Sequence, residues 1–155
     1  MKGKELSKNL HIYSCLYRQI ADKRFEESGI YFGQPPILKY LSLHPNASQN
    51  EIADFLDVSA ASIATSVKRM EKSGLIQRTT DKNDARRNLL KLTEKGMQAQ
   101  KTAEEIIQMT DREIFETMSD EQIAVATDLI KLVNENAVKL AEKNKIKVRR
   151  RDENV

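Results

Sequence analysis

At 155 residues, with 39% hydrophobic and 32% charged side chains, the chain fits a soluble, helix-rich domain, alone or with a long helical extension, and is unlike a disordered protein. No apolar run approaches the roughly 20 residues of a membrane span, the opening "MKGKELSKNLHIY" lacks the apolar segment of a secretory signal, and one cysteine cannot close an internal disulfide, so a reducing, cytoplasmic setting is expected. The net charge of +3 is too small to identify a polyanionic partner, which would need positive charge concentrated in one place.

Residues 5 to about 28 read as a first helix, because Leu6, Leu10, Tyr13, Leu16, Tyr17 and Ile20 recur at three- and four-residue steps. Ser28-Gly29 ends it, since glycine tolerates the left-handed conformation of a C-cap. Pro35 and Pro36 allow a second helix only from that point on, through "ILKYLSLH", with Pro45-Asn46 closing it. Ser48 and Glu51 stand at capping-box spacing for a short third helix that ends near Leu56. Asp57-Val58 make a tight connection, Ser59 caps the helix "AASIATSVKRMEKS", and Gly74 stops it. Two short strands, roughly 75–80 and 88–92, flank a loop carrying Asp81, Asp84, Arg86 and Arg87. Thr93 caps a long helix through about Met118. Ser119 and Gln122 repeat the capping-box spacing for a last helix, striped by Ile123, Ala126, Ile130, Val133, Ala137 and Leu140. The basic tail "KNKIKVRRRDENV" is expected to be solvated and frayed.

Residues 48–73 are two helices joined by a three- or four-residue turn, the spacing of a helix-turn-helix. At about 100° per residue, Ile63, Val67 and Met70 share one narrow face of the second helix and must pack inward, leaving Ala61, Ser62, Thr65, Lys68, Arg69 and Lys72 outside. The outer face is small and polar at its start and cationic towards its end. Small residues let a helix N-terminus sit deep in a major groove, hydroxyls bond phosphates or base edges, and arginine bonds guanine bidentately. The strand-loop-strand that follows directly makes a winged helix. Arginine at a wing tip can enter the neighbouring minor groove, where negative potential is high. Asp84 can hold the Arg86 guanidinium in a fixed fork, and Asp81 starts the turn through its own backbone bonds.

Three segments carry a resemblance: "SQNEIADFLDVSAASIATSVKRMEKSGLIQR", the loop "DKNDARR", and "LLKLTEKG". They resemble the MarR family of bacterial transcriptional regulators over nearly the whole chain. The family pattern of an aspartate-rich wing with an arginine two places after its second aspartate, then Leu-Thr-x-x-Gly, is matched by Asp84, Arg86, Leu92, Thr93 and Gly96. The run "GQPPILKYL", with Gln34, resembles the start of the family's second helix. Ala85 departs from it where many members carry another arginine, which weakens one phosphate contact and leaves Arg86 in place.

The resemblance implies a mainly α fold with a small β-hairpin wing, a winged helix-turn-helix flanked by N- and C-terminal dimerisation helices. The expected organisation is an N-terminal dimerisation helix (1–28), the DNA-binding domain (29–96), C-terminal dimerisation helices (97–145) and the basic tail (146–155). The apolar stripes of the terminal helices, too long for a monomer of this size to cover, agree with a homodimer. The expected partner is double-stranded DNA with a pseudo-palindromic operator, half-sites about 10 bp apart. The expected DNA-binding residues are Ser59, Ala61, Ser62, Thr65, Ser66, Lys68, Arg69 and Lys72, with Asp84, Arg86 and Arg87 from the wing. The function expected is a repressor released by a small-molecule effector that shifts the spacing of the recognition helices.

Two alternatives stay open. One is a redox-sensing regulator using Cys15, which lies between Tyr13 and Tyr17 in a position where some relatives hold a thiolate with tyrosine hydroxyls; the bland reading is a small packing residue. The other is a winged-helix module that binds protein instead of DNA. His11 and His44 show no compact ligand spacing, so no metal or cofactor is expected. Without a nucleophile–base constellation, a Gly-rich phosphate loop or a metal pair, no catalysis is expected either.

Overall fold

Helix α1 (Lys4–Glu27) opens the described part of the computed structural model, which covers residues 3–80 and 88–146. It is followed by α2 (Gln34–Leu43), β1 (Ala47–Ser48), α3 (Gln49–Leu56), α4 (Ala60–Lys72), β2 (Ile76–Thr80), β3 (Asn88–Leu92), α5 (Glu94–Phe115) and α6 (Asp120–Lys143). These elements fall into two compact units that divide between Thr110 and Asp111. None of the described helices is long and apolar enough to cross a membrane.

The first unit is built on one apolar core. Ala21 and Phe25, in the last turns of α1, pack into it with Ile37, Leu38 and Leu41 of α2 and with Ala103 and Ile106 of α5. Gly29, at φ +73°, turns the chain out of α1, so that Ile30 is buried and its N–H donates to the Phe25 carbonyl at 2.8 Å. Helix α2 begins one residue before its first proline, with Gly33 left-handed (φ +82°) at its N-cap and both prolines in the first turn. It stops at Leu43, short of Pro45.

The sheet has a strand that sequence reading missed. β3 is central and pairs antiparallel with β2 on one side (Arg78 opposite Leu90) and with β1 on the other (Ala47 opposite Leu90). The Asn46 N–H donates to the Leu90 carbonyl at 3.0 Å and extends this ladder. A two-residue strand is too short for apolar alternation to reveal it. Because Ser48 also caps α3, β1 fastens the first helix of the helix-turn-helix to the hairpin.

Helix α5 starts against the backbone that leaves α4. The Thr93 hydroxyl donates to the Gly74 carbonyl at 2.6 Å and accepts the Gly96 N–H at 3.0 Å, while the Thr93 N–H donates to the Leu75 carbonyl at 3.0 Å. Residue 96 must be glycine here, since a Cβ would lie 1.9 Å from the Leu75 carbonyl oxygen. Physically, this is the reason for the Leu-Thr-x-x-Gly pattern. The helix ends at Phe115, not near Met118. Ser119 must be extended (φ −74°, ψ 160°) to cap α6, so the residues before it have to leave the helix first.

The second unit holds the last turn of α5 and all of α6. The capping box at Ser119 and Gln122 forms as expected, yet α6 has no buried residue. Ile130 and Val133 are half-buried, Leu140 of the same stripe is more than half exposed, and so is a second apolar row, Val125, Leu129 and Leu132. On α1, Leu6, Tyr13, Leu16 and Ile20 are likewise exposed.

Candidate nucleic-acid interface

The helix-turn-helix is set by local hydrogen bonds. At the head of α3 the Glu51 N–H donates to Ser48 Oγ (3.3 Å) and the Ser48 N–H to Glu51 Oε2 (2.7 Å), a complete capping box. Asp57 closes α3 in the left-handed region (φ 54°), which its short polar side chain tolerates, and the Val58 N–H reaches back to the Ala53 carbonyl. Ser59 Oγ then accepts the Ser62 N–H at 3.1 Å and starts α4.

Ile63, Val67 and Met70 are almost wholly buried, which fixes the rotation of α4 and leaves Ala61, Ser62, Thr65, Lys68, Arg69 and Lys72 exposed together. Ser59 is exposed beside them. Ser66 does not share that outer face. It is half-buried on the flank, and a Cβ on Gly33 would stand 3.8 Å from its hydroxyl.

The hydroxyls are less free than the sequence suggests. Ser59 Oγ and Ser62 Oγ are 2.8 Å apart, so one of their two hydrogens lies between them and one remains to donate outward. The Thr65 hydroxyl donates to the Ala61 carbonyl at 3.0 Å and therefore presents lone pairs and a methyl group to the outside. Cationic charge enters with Lys68, Arg69 and Lys72, the last two in the final turn of α4, where they also complement its C-terminal dipole. The Lys95 ammonium caps the same end, donating to the Ser73 carbonyl at 2.7 Å.

The paired strands carry the hairpin from Ile76 opposite Leu92 up to Thr80 opposite Asn88. The loop expectations, Asp81, Asp84, Arg86 and Arg87, lie outside the described residues, as does Ala85. Below the loop, one ion pair joins strand to helix: Arg78 Nε donates to Glu71 Oε1 at 2.7 Å. Nothing in the sequence alone distinguishes either residue, because their contact depends on the turn between α4 and β2.

Cys15 is half-buried on α1, and its thiol sulfur lies 3.6 Å from His11 Nε2. Tyr13 and Tyr17, each two residues away, are turned about 200° around the helix from it. His44 stacks on Tyr40 with ring centroids 4.6 Å apart. Among the described residues, no three His, Cys, Asp or Glu side chains form a metal-binding group.

Comparison with known proteins agrees with this geometry. The sequence profile of the MarR family matches residues 28–87. The chain is 30% identical over 115 residues to a transcriptional regulatory protein for the hcr operon of Thauera aromatica, covering 74% of this chain and 69% of that protein. A point mutant of S. aureus MepR bound to an oligodeoxyribonucleotide superposes with a TM-score of 0.63 at 25% identity, covering 84% of this chain and 96% of that one. A MarR-family transcriptional regulator from Listeria monocytogenes complexed with 26-mer DNA superposes with a TM-score of 0.69 at 24% identity, covering 91% and 95%.

Proposed function

Because the chain belongs to the MarR family of transcriptional regulators, we propose that it binds duplex DNA as a homodimer and represses transcription until a small molecule releases it. The observation that carries DNA binding is the outer face of α4, small and hydroxyl-bearing at its start and cationic at its end, held in one rotation by buried Ile63, Val67 and Met70. Thr65, Lys68, Arg69 and Lys72 serve the major groove, where Thr65 accepts hydrogen bonds or meets a thymine methyl. Ser59 and Ser62 share one outward hydrogen for a phosphate. Ala61 gives the helix a close approach, and Ser66 supports it from the flank. Arg86, oriented by Asp84, takes the minor groove, and Arg87 a phosphate. A chromosomal partner implies a cytoplasmic site of action.

Exposed apolar rows on α1 and α6 support the homodimer, since a monomer would leave Leu16, Leu129 and Leu132 more than half in water. The effector reading is supported by a crevice of about 220 Å³ in the first unit, lined by Gly29, Ile30, Leu75, Lys95, Ala99 and Thr102. It also takes in Ser28 and Gln98, so its apolar part is joined by one ammonium, one carboxamide and two hydroxyls, and it touches the backbone that leaves α4.

Selection of bound duplexes from a random pool tests the whole. The expected result is an inverted repeat with half-site centres about 10 bp apart, bound with an affinity that falls steeply as salt rises. Binding insensitive to salt, or no enriched duplex, overturns DNA recognition and leaves a protein-binding module.

A further inference from the structure

Glutamate 71 is out of place on a DNA-reading helix. At 100° per residue it lies on the flank of α4, beside Lys68 and Lys72, where its charge opposes a phosphate backbone. The structure gives it a counter-charge: Arg78, two residues into β2, donates from Nε to Glu71 Oε1 at 2.7 Å, with Glu71 half-buried and Arg78 exposed. Between them the chain makes a tight turn. The Gly74 N–H donates to the Glu71 carbonyl and the Leu75 N–H to the Met70 carbonyl, each at 2.9 Å, with Gly74 at φ +73°. Thr93 and Lys95 hold that turn through its carbonyls, from the side of α5. Those bonds fix the turn but do not reach the strand that climbs towards the loop. The Glu71–Arg78 pair does: it spans from the recognition helix to β2, two residues before the strand ends at Thr80.

We infer that Glu71 and Arg78 are positioning residues for DNA recognition: the pair locks the wing strand to the recognition helix at one angle, so that helix and wing meet two grooves of one duplex at once. This deepens the DNA-binding reading above and rests on it. The pair touches no base. It acts by preorganisation, removing orientations that would otherwise have to be frozen out on docking. Arg78 also neutralises Glu71, so the tie adds no net charge to a surface that must approach phosphates.

Charge and geometry predict opposite outcomes for one substitution. Glu71→Gln removes a negative charge near the DNA face, so electrostatics alone predicts tighter binding to any duplex. Loss of the lock predicts weaker binding to the selected duplex, by about three- to fivefold as expected for a partly exposed ion pair, with binding to a random-sequence duplex unchanged or tighter. Arg78→Lys keeps the charge but loses the Nε contact, and is expected to show the same loss on the selected duplex. Both variants are measured as full chains by fluorescence anisotropy against the pool-selected duplex and a random one, with thermal melts to confirm folding. In a double-mutant cycle, Glu71→Gln should have no further effect once Arg86→Ala is present, because the groove contact proposed for Arg86 is then no longer there to be aimed.

An unchanged or tighter affinity of Glu71→Gln for the selected duplex overturns the inference. So does a loss equal on both duplexes, or one that adds independently to Arg86→Ala. If no duplex is selected at all, DNA recognition itself has failed and the lock falls with it.

Discussion

Replacing Gly96 with alanine sets two rules against each other. By helix propensity, Gly→Ala inside α5 should stabilise the protein by about 1 kcal/mol. The structure puts the new Cβ 1.9 Å from the Leu75 carbonyl oxygen, a backbone atom that no rotamer change can move aside. The start of α5 must then retreat by more than an ångström to restore van der Waals contact. Three hydrogen bonds cross that gap and are exposed to the retreat: Thr93 hydroxyl to Gly74 carbonyl, Thr93 N–H to Leu75 carbonyl, and Lys95 ammonium to Ser73 carbonyl. At about 1 kcal/mol each, their loss outweighs the gain in propensity and leaves a net destabilisation of about 2 kcal/mol. For a chain of this size that lowers Tm by about 5 °C. Calorimetry at one fixed protomer concentration measures it, because the proposed dimerisation would make Tm concentration-dependent. A variant as stable as the parent, or more so, would show that α5 is not seated on Leu75.

Three further outcomes are expected. Arg86→Ala should weaken binding to the selected duplex by about 1–3 kcal/mol with folding intact; unchanged affinity in a gel-shift titration removes the minor-groove role. Glutamate at both Leu129 and Leu132 should turn the dimer into a monomer in sedimentation equilibrium, and a dimer that survives takes the exposed row of α6 out of the interface. Tyr40 has its phenol pKa raised above the ordinary 10.0, mainly by partial burial and secondarily by the Glu51 charge. The fold therefore favours the protonated phenol, a contribution complete below pH 10 and lost as pH climbs through the higher folded value. Tyr40→Phe should abolish a late step in the alkaline phenolate absorbance and flatten the fall in stability above pH 10; a late step that persists refutes the assignment.

What could be read from the sequence was local. Ser48 with Glu51, Ser59, and Ser119 with Gln122 are caps whose partners lie within three residues, and each forms. Ile63, Val67 and Met70 sit on one face because helical geometry allows nothing else, and that set the outer face too. Features needing the path of the chain were not legible. β1 is two residues long and acquires meaning only when Leu90 comes beside it. Glu71 and Arg78 meet across a turn whose shape depends on Gly74, and Val125, Leu129 and Leu132 form a second apolar row beside the one taken as the stripe. The competition of Ala61 for the Thr65 hydroxyl is equally invisible in letters. Ser66 is among the expected DNA-binding residues, yet its angle on α4 puts it next to the buried ones.

The pairing of Ala47 and Ser48 with Leu90 and Leu89 also dictates an order of assembly. A ribosome must release β3 before the cap of α3 gains its sheet partner, so the reading head cannot be completed piecemeal from its N-terminal side. A protease cut anywhere between those strands would leave fragments that each lack half a ladder. Amide protons of Asn46 and of the central strand should therefore exchange with deuterium at a common rate, through one shared opening.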